Sequence, residues 1–218
     1  MPKKIILFPF GGNAKESLIS ILAINSIKKE WDVVGFIDDN SSTWGKSYYG
    51  IEVKGGREVL KVFPDSLVLA VPGNPNDYFK RSDIIEGLGV KRSCYATIIH
   101  PSTVISPDAC IGHNTLIMAN VVISCGAKIG NHSIILPNTV ISHDSVIGDY
   151  CCIGSNVSVS GNVSIESECY IGSGVSIREN ICIGKKSLIG IGSNVVSDIK
   201  EGVVAVGNPA KVIRKAVS

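Results

Sequence analysis

Four histidines occur in the 218 residues: His100, His113, His132 and His143. Only His143 is followed directly by a carboxylate, Asp144, in the stretch Ile141-Ser142-His143-Asp144-Ser145-Val146-Ile147-Gly148. Imidazole can take a proton from a nucleophile near neutral pH, and a neighbouring carboxylate stabilises its protonated form. The pair is therefore a candidate base and support. The other three histidines have no such neighbour and read as corner or linker residues.

A second group of residues suits ligand binding. Gly11-Gly12-Asn13-Ala14 follows the apolar run Ile5 to Phe8 and precedes a helical pattern, and Asp38-Asp39 follows a second apolar run. Glycines let a ligand approach the backbone at a helix N-terminus, and a carboxylate there can accept hydrogen bonds from a ribose or base. The full G-x-G-x-x-G fingerprint is absent, because Pro9-Phe10 stands at its beginning. By themselves these residues suit a turn and a solvated acidic loop better than a ligand site. The seven cysteines form no CxxC pair, and the odd count without an export signal predicts reduced thiols that fill small buried sites.

The elements that would position these groups show in a period. Every sixth residue from Ile99 to Val195 is Ile or Val without a slip, and four places beyond each, from Ile111 onward, stands a small or β-branched residue, Thr115, Val121 and Ala127 through Ser193 and Ile199. Six matches neither the 3.6 of a helix nor the 2 of an ordinary strand. It matches a triangular prism in which each six residues make a short strand and a corner, 18 residues close one coil, and coils stack by parallel pairing. Gly112, Gly130 and Gly148, and likewise Gly154, Gly172 and Gly190, recur every 18 residues, as corners requiring positive φ would demand. His143 falls two places after its aliphatic and so belongs at a corner.

Residues 1–97 lack this rhythm. Ile5 to Phe8, Val33 to Ile37 and Ser66 to Val71 read as strands and residues 14–29 and 76–88 as helices, which predicts a small α/β domain with a parallel sheet. Tyr95 to Pro101 should join it to the first coil, and Glu201 to Ser218 should cap the last. The expected division is 1–97 for the α/β domain and 98–218 for the β-helix with its cap. A formal charge of +2 without a basic run argues against nucleic-acid binding, and no apolar run approaches the length of a membrane helix.

The repeat [LIV]-[GAED]-x-x-[STAV]-x, seen in Ile111-Gly112-His113-Asn114-Thr115-Leu116 and Ile171-Gly172-Ser173-Gly174-Val175-Ser176, resembles that of the left-handed β-helix acyltransferases, as Gly207-Asn208-Pro209-Ala210 resembles their closing segment. With the α/β domain in front, the chain is similar to the sialic-acid O-acetyltransferase and bacillosamine-type sugar N-acetyltransferase family. That resemblance implies a cytoplasmic homotrimer that moves acetyl from acetyl-CoA to a nucleotide-linked 4-amino-4,6-dideoxy sugar, UDP-linked first, for surface glycan or glycoprotein synthesis, with no metal, nucleic acid or membrane involved. It implies His143 as general base and Asp144 as its support. It implies Phe10, Gly11, Gly12, Asp38, Asp39 and Gly73 around the nucleotide sugar, and Cys152, Gly161, Ser173 and Ile191 along acetyl-CoA, one per stacked coil. Lys185, Lys186, Lys211 and Arg214 are candidates for the CoA phosphates.

Two positions depart from the family pattern. Cys152 stands where bacillosamine-type enzymes carry a second histidine, and Leu136 where an asparagine is common, with Asn138 two places later. O-acetylation of a sialic-acid-like sugar, a catalytically inactive scaffold, and a γ-carbonic-anhydrase-like zinc site are the other readings; the last requires three converging imidazoles.

Overall fold

The computed structural model describes residues 1–216. Its first part is a three-stranded parallel sheet in the order β2 (Trp31–Phe36), β1 (Lys3–Phe8), β5 (Leu67–Ala70), with helix α1 (Gly12–Ile27) crossing from β1 to β2. The central strand β1 is covered on both faces, which is why it reads as the unbroken apolar run Ile5-Ile6-Leu7-Phe8. Ile5 and Leu7 pack with Leu18 of α1; Ile6 and Phe8 pack with Ile85 and Leu88 on the other side.

Helix α1 ends two residues before the expected boundary. The Asn25 carboxamide accepts the backbone N–H groups of Glu30 and Trp31 and donates to the Trp31 carbonyl, which folds residues 28–30 into a tight reversal. A hairpin of β3 (Ser47–Tyr48) and β4 (Ile51–Glu52) and a short helix α2 (Val59–Val62) were not foreseen. The helix expected over residues 76–88 is a 3-10 turn, Tyr78–Lys80, running into α3 (Arg81–Glu86).

From Ile98 the chain winds into a three-sided parallel β-helix. Its first face holds the strands from Ile98–Ile99 to Leu188–Ile189, its second those from Val104–Ile105 to Asn194–Val195, and its third those from Cys110–Ile111 to Cys182–Ile183. Each strand pairs with the one 18 residues on, as Ile135 with Ile153 and Ile141 with Val159. The sixfold aliphatics fill the interior, at most 3% exposed from Ile117 to Val195. The second inward column is buried throughout, and its hydroxyls are satisfied by the next coil: Thr139 Oγ1 donates to the Gly154 carbonyl at 2.7 Å and Ser145 Oγ to the Ser160 carbonyl at 2.8 Å.

The recurring glycines have a different cause from the one the spacing suggested. None of Gly112, Gly130, Gly148, Gly154, Gly172 and Gly190 has positive φ; a Cβ on Gly130 would stand 2.5 Å from the carbonyl carbon of Gly148, so the first five are small because coils meet backbone to backbone, and Gly190 because the Val206 side chain lies against it. Positive φ falls instead on a separate file running from Asn114 to Gly192 at six-residue steps, which includes Asn120, His132, Asn138, Asp144, Tyr150, Asn156 and Asn162, all with φ between 51° and 61°. Asn and Asp tolerate this region best among residues with a side chain.

After Val195, Val203–Val206 adds a parallel strand to the first face beside Leu188–Ile189, Ala210 plugs the core, and Lys211–Lys215 returns antiparallel. The tail therefore extends a face as well as capping it; Val217 and Ser218 of the expected cap lie outside the described residues. The sheet domain sits on the first face, where Leu116, Ile134 and Cys152 join Ile5, Leu7 and Leu18 in one cluster. The two parts thus share a core.

A candidate active site: a prism edge and a cavity in the sheet domain

His143 occupies the turn between Val140–Ile141 of the second face and Val146–Ile147 of the third. Its Nδ1 lies 2.9 Å from Asp144 Oδ2, and both side chains are more than half exposed. The stacking of coils fixes the pair. The Asp144 N–H donates to the Cys125 carbonyl one coil below, and the His143 carbonyl accepts from the Asn162 N–H one coil above. Directly above the ring is Gly161, where a Cβ would collide with the imidazole Nε2 and Cε1. With Nδ1 turned to the carboxylate, Nε2 is the atom available to take a proton.

The second feature is a cavity of about 510 Å³ between the C-terminal ends of β1 and β5, the customary ligand position in a parallel α/β sheet. Gly11, Gly12, Asp38, Asp39 and Gly73 line it, as expected. Phe10 does not: its ring packs edge-on against Phe36, and its contribution is a backbone N–H donated to Asp38 Oδ2 at 2.8 Å. Asp38 also accepts from Asn40 N–H through Oδ1, and Asp39 is held by Arg57 through both oxygens at 2.7–3.0 Å. Both carboxylates are thereby oriented before any ligand arrives. Asn13, Asn74, Asp77 and Arg81 are the other polar residues of the lining; Arg81, from α3, carried no signal in the sequence beyond its charge.

The four residues expected along acetyl-CoA do not form one file. Only an 18-residue interval returns the chain to the same edge, and only Ser173 and Ile191 have it; they stack where the first face turns into the second, with Ile191 80% exposed. Gly161 lies at the edge of His143. Cys152, on the first face, is 2% exposed beneath the sheet domain, so it packs and does not open to a groove. Burial pushes its thiol up to about 11, which leaves it protonated and unreactive. Lys185 and Lys186 face Glu168, at 3.9 and 3.1 Å, while Lys211 and Arg214 lie on the exposed last strand.

Comparison with known proteins places this arrangement. PerB from Caulobacter crescentus, solved with CoA and GDP-perosamine, superposes with a TM-score of 0.83 at 26% identity over 98% of both chains. The acetyltransferase domain of PglB from Neisseria gonorrhoeae, solved with acetyl coenzyme A, gives a TM-score of 0.82 at 26% identity over 98% of this chain and 100% of that one. A UDP-N-acetylbacillosamine N-acetyltransferase of Bacillus subtilis is 33% identical over 118 residues, 53% of this chain and about half (51%) of that protein's length. Residues 94–204 match the family described as the GMPPB C-terminal domain. The chain belongs to that family.

His143 stands away from the sheet domain. The edge it occupies is the one opposite the first face, and the first face is where the sheet domain and its cavity sit. Within one chain the imidazole and the cavity belong to different edges of the prism: Arg81 of the cavity is bonded to His132 and Tyr150 where the third face turns into the first. Of the family departures, Leu136 packs into the seam with the sheet domain, while Asn138 is in the positive-φ file and accepts from the Asn120 carboxamide at 3.2 Å. No group of three or more metal-ligating side chains occurs among the described residues. His113 and His132 are spent on the seam, where His132 stacks on Tyr150 with centroids 4.6 Å apart and meets Asn114 at 2.9 Å. No helix among the described residues is long and apolar enough to cross a membrane.

Proposed function

We propose that this chain transfers acetyl from acetyl-CoA to the amine of a nucleotide-linked 4-amino-4,6-dideoxy sugar, by direct attack with His143 as general base. The observation that carries the reading is the near-complete overlap with PerB, a protein solved with CoA and GDP-perosamine, in a chain whose exposed His143–Asp144 pair stands on a prism edge. The cavity at Gly11, Gly12, Asp38, Asp39 and Gly73 takes the nucleotide, and Gly161, Ser173 and Ile191 border acetyl-CoA. The amine gives its proton to His143 Nε2 as nitrogen attacks the thioester carbon; the C–S bond then breaks, the departing thiolate takes that proton from the imidazolium, and CoA leaves as the thiol. Asp144 holds Nδ1 and stabilises the imidazolium.

The separation of cavity and imidazole within one chain supports a homotrimer in which the cavity of one copy faces the His143 edge of the next. The second and third faces carry exposed valines, Val104, Val140 and Val146, on the surfaces such packing would cover. We place the enzyme in the cytoplasm, where acetyl-CoA is available, in synthesis of a surface glycan or glycoprotein. UDP is the first choice of nucleotide and GDP the second, the latter on the strength of the ligand in PerB.

The test is acetyl-CoA consumption against UDP-, GDP- and dTDP-linked 4-amino-4,6-dideoxy sugars, with sialic-acid-type acceptors alongside. Turnover with one amino sugar and its loss in His143→Ala is the expected result. Turnover only with a hydroxyl acceptor reassigns the chain to O-acetylation, and none with any acceptor reassigns it to a scaffold.

A further inference from the structure

Three carboxylates and a single cation line the cavity, and the carboxylates are all occupied. Asp38 is bound by two backbone N–H groups, Asp39 by Arg57, and Asp77 by Lys80 at 3.0 Å. The cation, Arg81, is 1% exposed and has no carboxylate partner among the described residues. Its Nε donates to the Tyr150 carbonyl at 3.0 Å and its Nη2 to the His132 carbonyl at 2.6 Å, while Nη1 is buried without a partner. A buried, unpaired charge is costly, and an orphaned donor adds to the cost. Burial depresses the guanidinium's pKa; the neighbouring Cys152, Cys151 and Tyr150 side chains oppose that, and no carboxylate does.

The same cavity holds the first turn of α1. This 16-residue helix begins at Gly12, its N-cap Gly11 supplies no side-chain cap, no acidic residue stands in its first turn, and nothing lies within 4 Å of where Cβ atoms on Gly11 and Gly12 would stand. Its free N–H groups and the positive end of its dipole are open to the cavity. Two positive donor systems, one of them a buried guanidinium with an unused hydrogen, therefore line one space.

We infer that Arg81 is a binding residue for the diphosphate of the nucleotide sugar, pairing Nη1 with a phosphate oxygen while the first turn of α1 takes the other phosphate. The inference rests on the nucleotide-sugar reading above. The other two donors of Arg81 grip the β-helix edge at His132 and Tyr150, so the phosphate is tied through one side chain to the prism as well as to the sheet. This fixes the direction in which the sugar leaves the cavity.

The experiment measures dissociation constants of UDP, GDP, uridine and guanosine by calorimetry for the wild type, Arg81→Met and Arg81→Lys. Losing one charge-assisted hydrogen bond predicts roughly 10- to 100-fold weaker binding of the diphosphate by Arg81→Met. The matching nucleoside should bind within about threefold of wild type, since it reports only on the pocket's shape. Arg81→Lys should fall between. An equal loss for nucleoside and diphosphate makes Arg81 a structural residue and overturns the inference, as does an unchanged diphosphate affinity. Should the methionine variant not fold, inorganic pyrophosphate on the wild type decides: it should compete with UDP and raise Tm, and neither effect at millimolar concentration overturns the assignment. Wild-type binding of pyrophosphate without preference for any nucleoside diphosphate would keep Arg81 as an anion site and remove the nucleotide-sugar reading instead.

Discussion

Replacing His143 by alanine leaves the coil intact, because the side chain is half exposed and its backbone carries the interstrand bonds. The expected result is a kcat lowered by about 10²- to 10⁴-fold, the usual contribution of a general base, with the melting temperature and the affinity for CoA nearly unchanged. Gly161→Ala is a sharper probe. The new methyl group would overlap the imidazole, which must rotate off Asp144, so kcat should drop while circular dichroism and Tm stay close to wild type. An alanine variant with full activity would show that the observed ring position is not the working one. Thiol chemistry separates the cysteines: Cys110 and Cys125 are exposed and should react with a disulfide reagent in the native state, whereas Cys151, Cys152 and Cys169 are buried and should react only on unfolding. Rapid native labelling of Cys152 would mean that the sheet domain lifts from the first face.

At the scale of elements, the coil depends on two files of residues that do different jobs. Gly130→Ala sets a methyl group against the Gly148 backbone, which cannot yield as a side chain can, and should destabilise by about 1–3 kcal/mol. Asn138→Gly, in the positive-φ file, should be nearly neutral, while Asn138→Val should cost about 1–2 kcal/mol. Thermal or denaturant melts of the three variants read the difference. The seam between the parts has its own signature in pH. His132 is held down to about 4, first by burial and then by His113 and the nearby Arg81 and Arg92 against the opposing pull of Asp149. An unfolded histidine titrates near 6.5, so between 6.5 and about 4 the unfolded chain binds the extra proton. Stability should therefore fall as pH drops through that window, by at most about 3 kcal/mol and by less to the extent that solvent screens the site, and the histidine's share should level off below about 4. His132→Asn should flatten that part of the urea-stability profile; an unchanged slope would place the titrating group elsewhere.

At the scale of the whole molecule, the proposed site needs two copies. Mixing His143→Ala, which lacks the base, with Asp38→Ala, which lacks the oriented carboxylate of the cavity, should restore activity after subunit exchange if the two halves come from different chains. If each chain holds a complete site, the mixture remains inactive. Sedimentation should report a trimer, and dilution that dissociates it should abolish turnover before it unfolds the coil.

Much of this architecture is written in the chain as a period. A side chain that must point to the axis every six residues has to be aliphatic and branched, so the coil, its start near Ile98 and the corner place of His143 were legible without coordinates. So were the strand at Ile5 to Phe8 and the glycine pair after it, since a central strand covered on both faces reads as one apolar run. What the period does not encode is what lies against the outside of each face. That Cys152 is sealed beneath the sheet domain, that Phe10 contributes its backbone and not its ring, and that Arg81 stands unpaired at the cavity all follow from docking two units that are distant in sequence. The cause of the recurring glycines was likewise hidden, because close approach of neighbouring coils and a positive φ both select glycine, and only the backbone angles tell them apart. Local spacing fixes which residues share an edge; the packing of separate parts decides which edge faces a ligand, and that is a property of tertiary structure alone.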